Sequence, residues 1–83
     1  MRNSQYSLDI TSDTCPLTMV KTKLLIEEMH VGEIASIRLN GGEPLDNVPR
    51  TLRDHGHEVL EIKEEEQNSA IFVLMVKKGA DRY

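Results

Sequence analysis

Alternating and helically spaced apolar residues follow each other along the chain, and together they predict six secondary-structure elements. The first is a strand, because Tyr6, Leu8 and Ile10 alternate with polar residues. A period of two is typical of a strand with one buried face. The polar residues 11–14 that follow predict a turn.

The second element is a helix that we expect to run from about Pro16 to about His30. Proline fits the first turn of a helix, where its missing N–H is harmless. Gly32 suits the left-handed position that commonly follows a helix. Helical spacing predicts one core-facing arc, made of Leu17, Val20, Leu24, Leu25 and Met29.

A second strand over residues 34–39 and a glycine-containing loop lead to a second helix, which opens at Glu43. Pro49 is unfavourable inside that helix, because it removes a backbone hydrogen bond and clashes with the preceding turn. We therefore expect either an extended or 3₁₀ start, with the α-helix beginning near Val48, or a kink. The apolar residues at helical spacing are Leu45, Val48 and Leu52.

The last third of the chain predicts an antiparallel hairpin, with strands over residues 57–63 and 69–77 and a turn over residues 64–68. The segment 71–76 is apolar on both faces. Such a segment is typical of an interior strand, since an edge strand or a half-exposed strand alternates.

The predicted order β-α-β-α-β-β indicates an α/β (α+β) two-layer sandwich: a mixed four-stranded sheet with two helices on one face. The first two strands should be parallel, with a right-handed crossover. A chain of 83 residues is expected to form a single domain, residues 1–83, because so small a core cannot be divided. Residues 1–4 and 79–83 are expected to be flexible.

Charge and hydropathy limit the possible functions. The net charge is −4, and ten basic residues face fourteen acidic ones without a basic cluster. Small βαβ sandwiches include RNA binders. A nucleic-acid-binding domain is nevertheless disfavoured, because binding phosphates requires clustered cations. The longest apolar run, residues 70–76, is too short to cross a bilayer. We expect a cytoplasmic monomer that contacts neither membrane nor nucleic acid directly.

A single cysteine, Cys15, precedes Pro16 at the predicted start of the first helix. One cysteine excludes an intramolecular disulfide and a multi-cysteine metal site, and a lone thiol fits a reducing compartment. Unpaired N–H groups and the helix dipole favour a thiolate at this position, and the thiolate is the nucleophile. A second interpretation is equally open on the pattern alone: a free cysteine often fills a core as a small apolar residue.

Neighbouring side chains are candidates for supporting that chemistry. We expect the helix start and the thiolate to be supported by Pro16, Leu17 and Thr18. A carboxylate of Asp13 close to the thiol would raise its pKa, because negative charge disfavours the thiolate. Candidate partner contacts, each with a solvated or core-filling alternative, are Met19, Lys21, Lys23, Arg50 and Arg53.

Histidines and carboxylates do not predict a metal centre. His55 and His57 lack a third ligand and make a poor zinc site, so we expect capping or solvated roles for them and for His30. The acidic run 64–66 is expected to be a solvated turn. We therefore expect no metal and no cofactor.

Short motifs occur in a fixed order along the chain: Leu8-Asp9, Cys15-Pro16, Lys21, Gly32-Glu33, Val48-Pro49, Gly56-His57-Glu58-Val59 and Lys77-Lys78. In this order and spacing the chain resembles the TusA/SirA sulfur-carrier family from end to end. The resemblance implies the same β-α-β-α-β-β sandwich and a persulfide-carrying role for Cys15. The family's Cys-Pro-x-Pro motif is here Cys15-Pro16-Leu17-Thr18, a departure that weakens the transfer of the family's partners.

The resemblance implies a sulfur-relay protein acting as a sulfurtransferase. It would accept sulfur on Cys15 from a desulfurase or rhodanese-like donor protein and pass it to an acceptor protein. Thiolation of tRNA, sulfur-cofactor assembly and sulfur oxidation are the outlets that the family suggests. The alternative on the same scaffold is a non-catalytic protein-interaction or redox-sensing module.

Overall fold

Six elements in the predicted order make up the computed structural model, which describes residues 6–13 and 17–79. The observed bounds of β2 and β3 differ from the predicted ones by at most one residue. The elements are β1 (Tyr6–Asp9), α1 (Leu17–Glu28), β2 (Ile34–Asn40), α2 (Glu43–Asp54), β3 (Glu58–Glu64) and β4 (Ile71–Lys77).

The four strands form one mixed sheet in the order β1-β2-β4-β3. β1 and β2 are parallel, while β4 is antiparallel to both of its neighbours. This order places β4 in the interior of the sheet, as its two apolar faces predicted. The α+β sandwich expected from the sequence is therefore confirmed.

The core lies between the sheet and the two helices. Alternate residues of β2 pair with alternate residues of β4, so that Ala35 lies opposite Val76 and Ile37 opposite Leu74. All four are fully buried. Because side chains alternate across a strand, this register leaves the residues between them on the opposite face of the sheet.

The predicted core face of α1 is wrong for three of its five residues. Leu17, Val20 and Leu24 are 50%, 47% and 56% exposed, and the buried residues of the helix are Thr18, Thr22 and Ile26. Burying the two threonines is inexpensive, because the hydroxyl of Thr22 donates to the carbonyl of Thr18 at 2.7 Å and the methyl groups remain to pack. Patterning that counts threonine as polar therefore assigns the helix the wrong face.

The carboxyl end of α1 is held by a lysine from the far end of the chain. Nζ of Lys78 donates to the carbonyl oxygens of Ile26 and Met29 at 2.7 and 2.8 Å. The last carbonyls of a helix lack partners within the helix and carry partial negative charge, which a cation offsets.

In α2, Pro49 lies inside a helix that is continuous from Glu43 to Asp54. The alternative of an extended start with an α-helix beginning near Val48 is therefore wrong. Val48, Pro49 and Leu52 are the buried residues of this helix, so the ring of Pro49 packs in the core.

In the hairpin, β4 is two residues shorter than predicted, while β3 has the predicted length and is displaced by one residue. Asn68 and Ala70 have positive φ angles of 63° and 61°, which keeps residues 69–70 out of β4. His57 precedes β3 and is only 6% exposed, so it is not solvated. Its Nδ1 accepts a hydrogen bond from the backbone N–H of Gly79 at 3.1 Å.

Candidate functional site

Cys15 and Pro16 lie outside the described residues, and the described segments on either side of them frame the candidate site. Before them, residues 10–13 form the loop that leaves β1. After them, α1 begins at Leu17. In the sequence, the single cysteine precedes the first described residue of α1 by two positions.

The loop before Cys15 is tied to the end of β1. Oδ1 of Asp9 accepts hydrogen bonds from the backbone N–H and the hydroxyl of Thr11 at 2.9 and 2.6 Å. The side-chain amide of Asn40 donates to the carbonyl of Thr11, and the N–H of Ile10 donates to the carbonyl of Arg38 at 2.9 Å. These contacts fix the loop against β2.

Arg38 extends this network to the hairpin. Its guanidinium donates to Oδ2 of Asp9 at 2.9 Å and to both carboxylate oxygens of Glu65 at 2.7 and 2.9 Å. The hydrogen bonds from Thr11, followed by that from Arg38, lower the pKa of Asp9 to about 2, and Arg38 also lowers the pKa of Glu65. The acidic run 64–66 is therefore not wholly solvated, as its central carboxylate is part of an ion-pair network.

Asp13 is paired with Lys21. Nζ of Lys21 lies 3.0 and 2.9 Å from the two carboxylate oxygens of Asp13, which joins the loop to the first turns of α1. The positive charge of Lys21 offsets the negative charge of the Asp13 carboxylate. Lys21 is thus neither simply solvated nor an unpaired source of positive potential.

Met19 and Lys23 line a small cleft between the two helices. Its volume is about 40 Å³, and the rest of its lining is Ile26, Glu27, Thr51, Leu52, His55 and His57. A volume of this size holds an ion or a few waters.

In the described part of the chain, neither Arg50 nor Arg53 lines the cleft. Arg50 donates to Asp46 at 3.0 Å and to Asn47 at 2.6 Å along the exposed side of α2. Arg53 is exposed in the last turn of α2. A partner that contacts these arginines would therefore lie against α2.

At the start of α1, Thr18 faces the core and Leu17 faces solvent. Thr18 is 1% exposed, whereas Leu17 is 50% exposed and begins the apolar row that continues with Val20 and Leu24. A contiguous apolar patch on a small domain is a common mark of an interaction site. The row starts two residues after Cys15. The sequence pattern did not predict this row, because helical spacing assigned these residues to the core.

Glu33 organises the turn after α1. Its carboxylate accepts hydrogen bonds from the backbone N–H of His30 at 2.7 Å and the hydroxyl of Tyr6 at 3.0 Å, and these bonds lower its pKa. In residues 6–13 and 17–79 no three histidine, cysteine or acidic residues lie close enough together to hold a metal ion. None of the helices described for these residues is both long enough and apolar enough to span a membrane.

Comparison with known proteins gives a consistent family. The family described as "Sulfurtransferase TusA" matches residues 6–78. Two relatives carry the name "Putative sulfur carrier protein". The one from Archaeoglobus fulgidus is 41% identical over 56 residues, which are 68% of this chain and 64% of that protein. The one from Methanocaldococcus jannaschii is 32% identical over 71 residues, 86% of this chain and 91% of that protein.

A solved structure supports the fold independently. The crystal structure of a SirA-like protein from Desulfitobacterium hafniense superposes with a TM-score of 0.77, covering 90% of this chain and 99% of that chain. The two sequences are 14% identical, so the similarity concerns the fold alone.

Proposed function

Because the chain belongs to the sulfurtransferase TusA family, we propose that it carries transferable sulfur as a persulfide on Cys15. The observation that supports this most directly is the position of the single cysteine. It lies inside the segment 6–78 that matches the family and two residues before α1. Relatives that cover most of the chain are named as sulfur carriers.

The loading step needs only a thiolate and a donor persulfide. The Cys15 thiolate attacks the terminal sulfur of the donor's R–S–SH group, a new S–S bond forms at Cys15, and the donor's S–S bond breaks. Its electron pair leaves with the donor thiolate, so the step involves no net oxidation. Unloading is the same exchange in the other direction, with an acceptor thiolate as the attacking group and Cys15 as the leaving group.

The charges beside Cys15 suit both steps. The amino end of a helix favours a thiolate, through unpaired N–H groups and the dipole. The pairing of Asp13 with Lys21 keeps a carboxylate from opposing that effect. In this proposal Pro16, Leu17 and Thr18 set the start of the helix.

A carrier of this kind works between two proteins. The donor would be a desulfurase or a rhodanese-like protein, and the acceptor would belong to tRNA thiolation, sulfur-cofactor assembly or sulfur oxidation. Contacts with them are assigned to Met19, Lys21 and Lys23 on α1, and to Arg50 and Arg53 on α2. Because Thr18 stands where the family has its second proline, we expect the acceptor to differ from that of Cys-Pro-x-Pro members.

Intact mass spectrometry tests the proposal. The reduced protein is incubated with a desulfurase and cysteine, or with a small persulfide donor, and weighed before and after dithiothreitol. We expect a gain of about 32 Da, one sulfur atom, that dithiothreitol removes, because a persulfide is a reducible modification of cysteine. The variant Cys15→Ser should show no gain.

A non-catalytic interaction module is the second candidate, and the exposed row Leu17, Val20 and Leu24 favours it. The two functions differ in the reactivity of the thiol. If no donor adds sulfur and the folded protein resists alkylation at Cys15, the carrier proposal fails and the interaction module replaces it.

A further inference from the structure

The described part of the loop before Cys15, residues 10–13, is held by short-range hydrogen bonds. The backbone N–H and the hydroxyl of Thr11 donate to Oδ1 of Asp9, and the N–H of Asp13 closes a turn within the loop at 3.2 Å. Consecutive Cα atoms are about 3.8 Å apart, so the Cα atom of a residue two positions beyond Asp13 lies within about 7.6 Å of that of Asp13. The shape of this loop therefore limits where the thiol can be presented.

The carboxylate of Asp9 is the acceptor on which the loop depends, and Arg38 holds its orientation. Oδ1 accepts both hydrogen bonds from Thr11, whereas Oδ2 accepts one from Nη1 of Arg38 at 2.9 Å. One oxygen thus faces the loop and the other faces the guanidinium. Rotation of the carboxylate would break contacts on both sides, so the arginine keeps the loop-facing oxygen in place.

The register of the sheet places Arg38 for this contact. It is the direct partner of Asp9 in the parallel pair of β1 and β2, and its strand neighbours Ile37 and Leu39 are fully buried. Because side chains alternate across a strand, the guanidinium lies on the face of the sheet opposite the core, where it is 38% exposed. Its Nε and Nη2 donate to Glu65, which leaves Nη1 for Asp9.

The pair of Asp9 and Arg38 should matter more for orientation than for stability. The two side chains are 53% and 38% exposed, and exposed ion pairs stabilise a fold only slightly. Transfer of an atom between two proteins is more sensitive, because a small displacement of a reacting group can lower its rate many-fold. Loss of the pair should therefore slow transfer while the protein remains folded.

We propose that Arg38 is a positioning residue for sulfur transfer at Cys15. It fixes the carboxylate of Asp9, which in turn holds residues 10–13 in the shape that presents the thiol to a docked donor protein. Arg38 acts only through Asp9 and takes no part in the exchange of sulfur itself. This inference rests on the proposed carrier function and adds to it a residue from the opposite face of the sheet.

Single-turnover loading measures this role. A persulfidated desulfurase or rhodanese, whichever loads the wild-type protein, is mixed with increasing concentrations of the carrier, and the gain of one sulfur is followed by intact mass. Arg38→Met should lower the maximal loading rate about three- to tenfold and leave the half-saturating concentration unchanged, because the docking surfaces on α1 and α2 are not altered. A substitution that only destabilised the fold would raise the half-saturating concentration, through loss of folded protein, and leave the maximal rate unchanged.

Lys63→Met is the matched control. Lys63 and Arg38 lie on either side of β4 in the same row of the sheet, since each is paired with Val73. The control therefore removes the same charge from the same face but no partner of Asp9, and its maximal loading rate should equal that of the wild type. A double variant tests the route: in an Asp9→Asn background, Arg38→Met should cause little further loss, because two residues that act through one contact are not additive.

Three results would overturn the proposal. They are loading by Arg38→Met at the wild-type rate, an equal loss for Lys63→Met, and losses for Arg38→Met and Asp9→Asn that multiply in the double variant. Failure of the carrier function would look different, because the wild-type protein would then take up sulfur from no donor, and both proposals would fall together.

Discussion

The orientation of α1 is the least expected feature of the fold, and two alanine substitutions test it directly. Ile26→Ala removes a side chain that is 5% exposed, while Leu24→Ala removes one that is 56% exposed. The sequence pattern alone predicts the opposite ranking, because it assigns Leu24 to the core.

The expected magnitudes differ by several-fold. Truncating a buried isoleucine to alanine costs about 2–5 kcal/mol of unfolding free energy. Ile26 borders the cleft of about 40 Å³ between the helices, where neighbouring side chains have room to relax, so we expect a loss at the lower end, about 2–3 kcal/mol. For the exposed Leu24 we expect a change within about 0.5 kcal/mol.

Urea unfolding followed by circular dichroism measures both values. For a domain of this size the denaturant slope is about 1 kcal/mol per molar urea, so Ile26→Ala should lower the midpoint by about 2–3 M. A larger loss for Leu24→Ala than for Ile26→Ala would mean that α1 packs on its other face and would refute this orientation.

Three further outcomes follow from contacts elsewhere in the fold. Lys78→Met should lower stability by about 1.5–3 kcal/mol, since it removes charged donors to two helix carbonyls, while Lys77→Met at the exposed neighbour should change thermal unfolding little. Gly79→Ala should lower the melting temperature and alter the NMR signals of His57, because an added Cβ would lie 2.1 Å from the carbonyl oxygen of Gly56; an unchanged protein would contradict the close approach. The carboxylate of Asp9 has a lowered pKa of about 2. The stability that this charged carboxylate adds to the fold is therefore fully present above its usual pKa near 3.9 and is lost as the pH falls toward 2. The stability difference between wild type and Asp9→Asn should therefore shrink between pH 5 and pH 2 in urea unfolding, and a constant difference would contradict the charged role.

Local patterns were sufficient to predict the four strands and their succession along the chain, whereas the pairing of β2 with β4 was not predicted. β1, β2 and β4 show alternation or continuous apolar character over adjacent residues, and the right-handed crossover rule restricts how such strands connect. The face of α1 could not be predicted in the same way. Whether Thr18 and Thr22 are buried depends on the hydrogen bond within the helix and on what the sheet presents to them, and neither is visible in a one-dimensional pattern.

In the candidate site, too, local features could be predicted from the sequence and long-range contacts could not. A single cysteine before a proline is a local signal, and it was sufficient to predict where the helix begins. The network that fixes the preceding loop joins Arg38 to Asp9 and to Glu65, which lie 29 and 27 residues away in the sequence. Only the parallel pairing of β1 with β2 and the fold of the hairpin bring these charges together, so residue type and spacing could not reveal them.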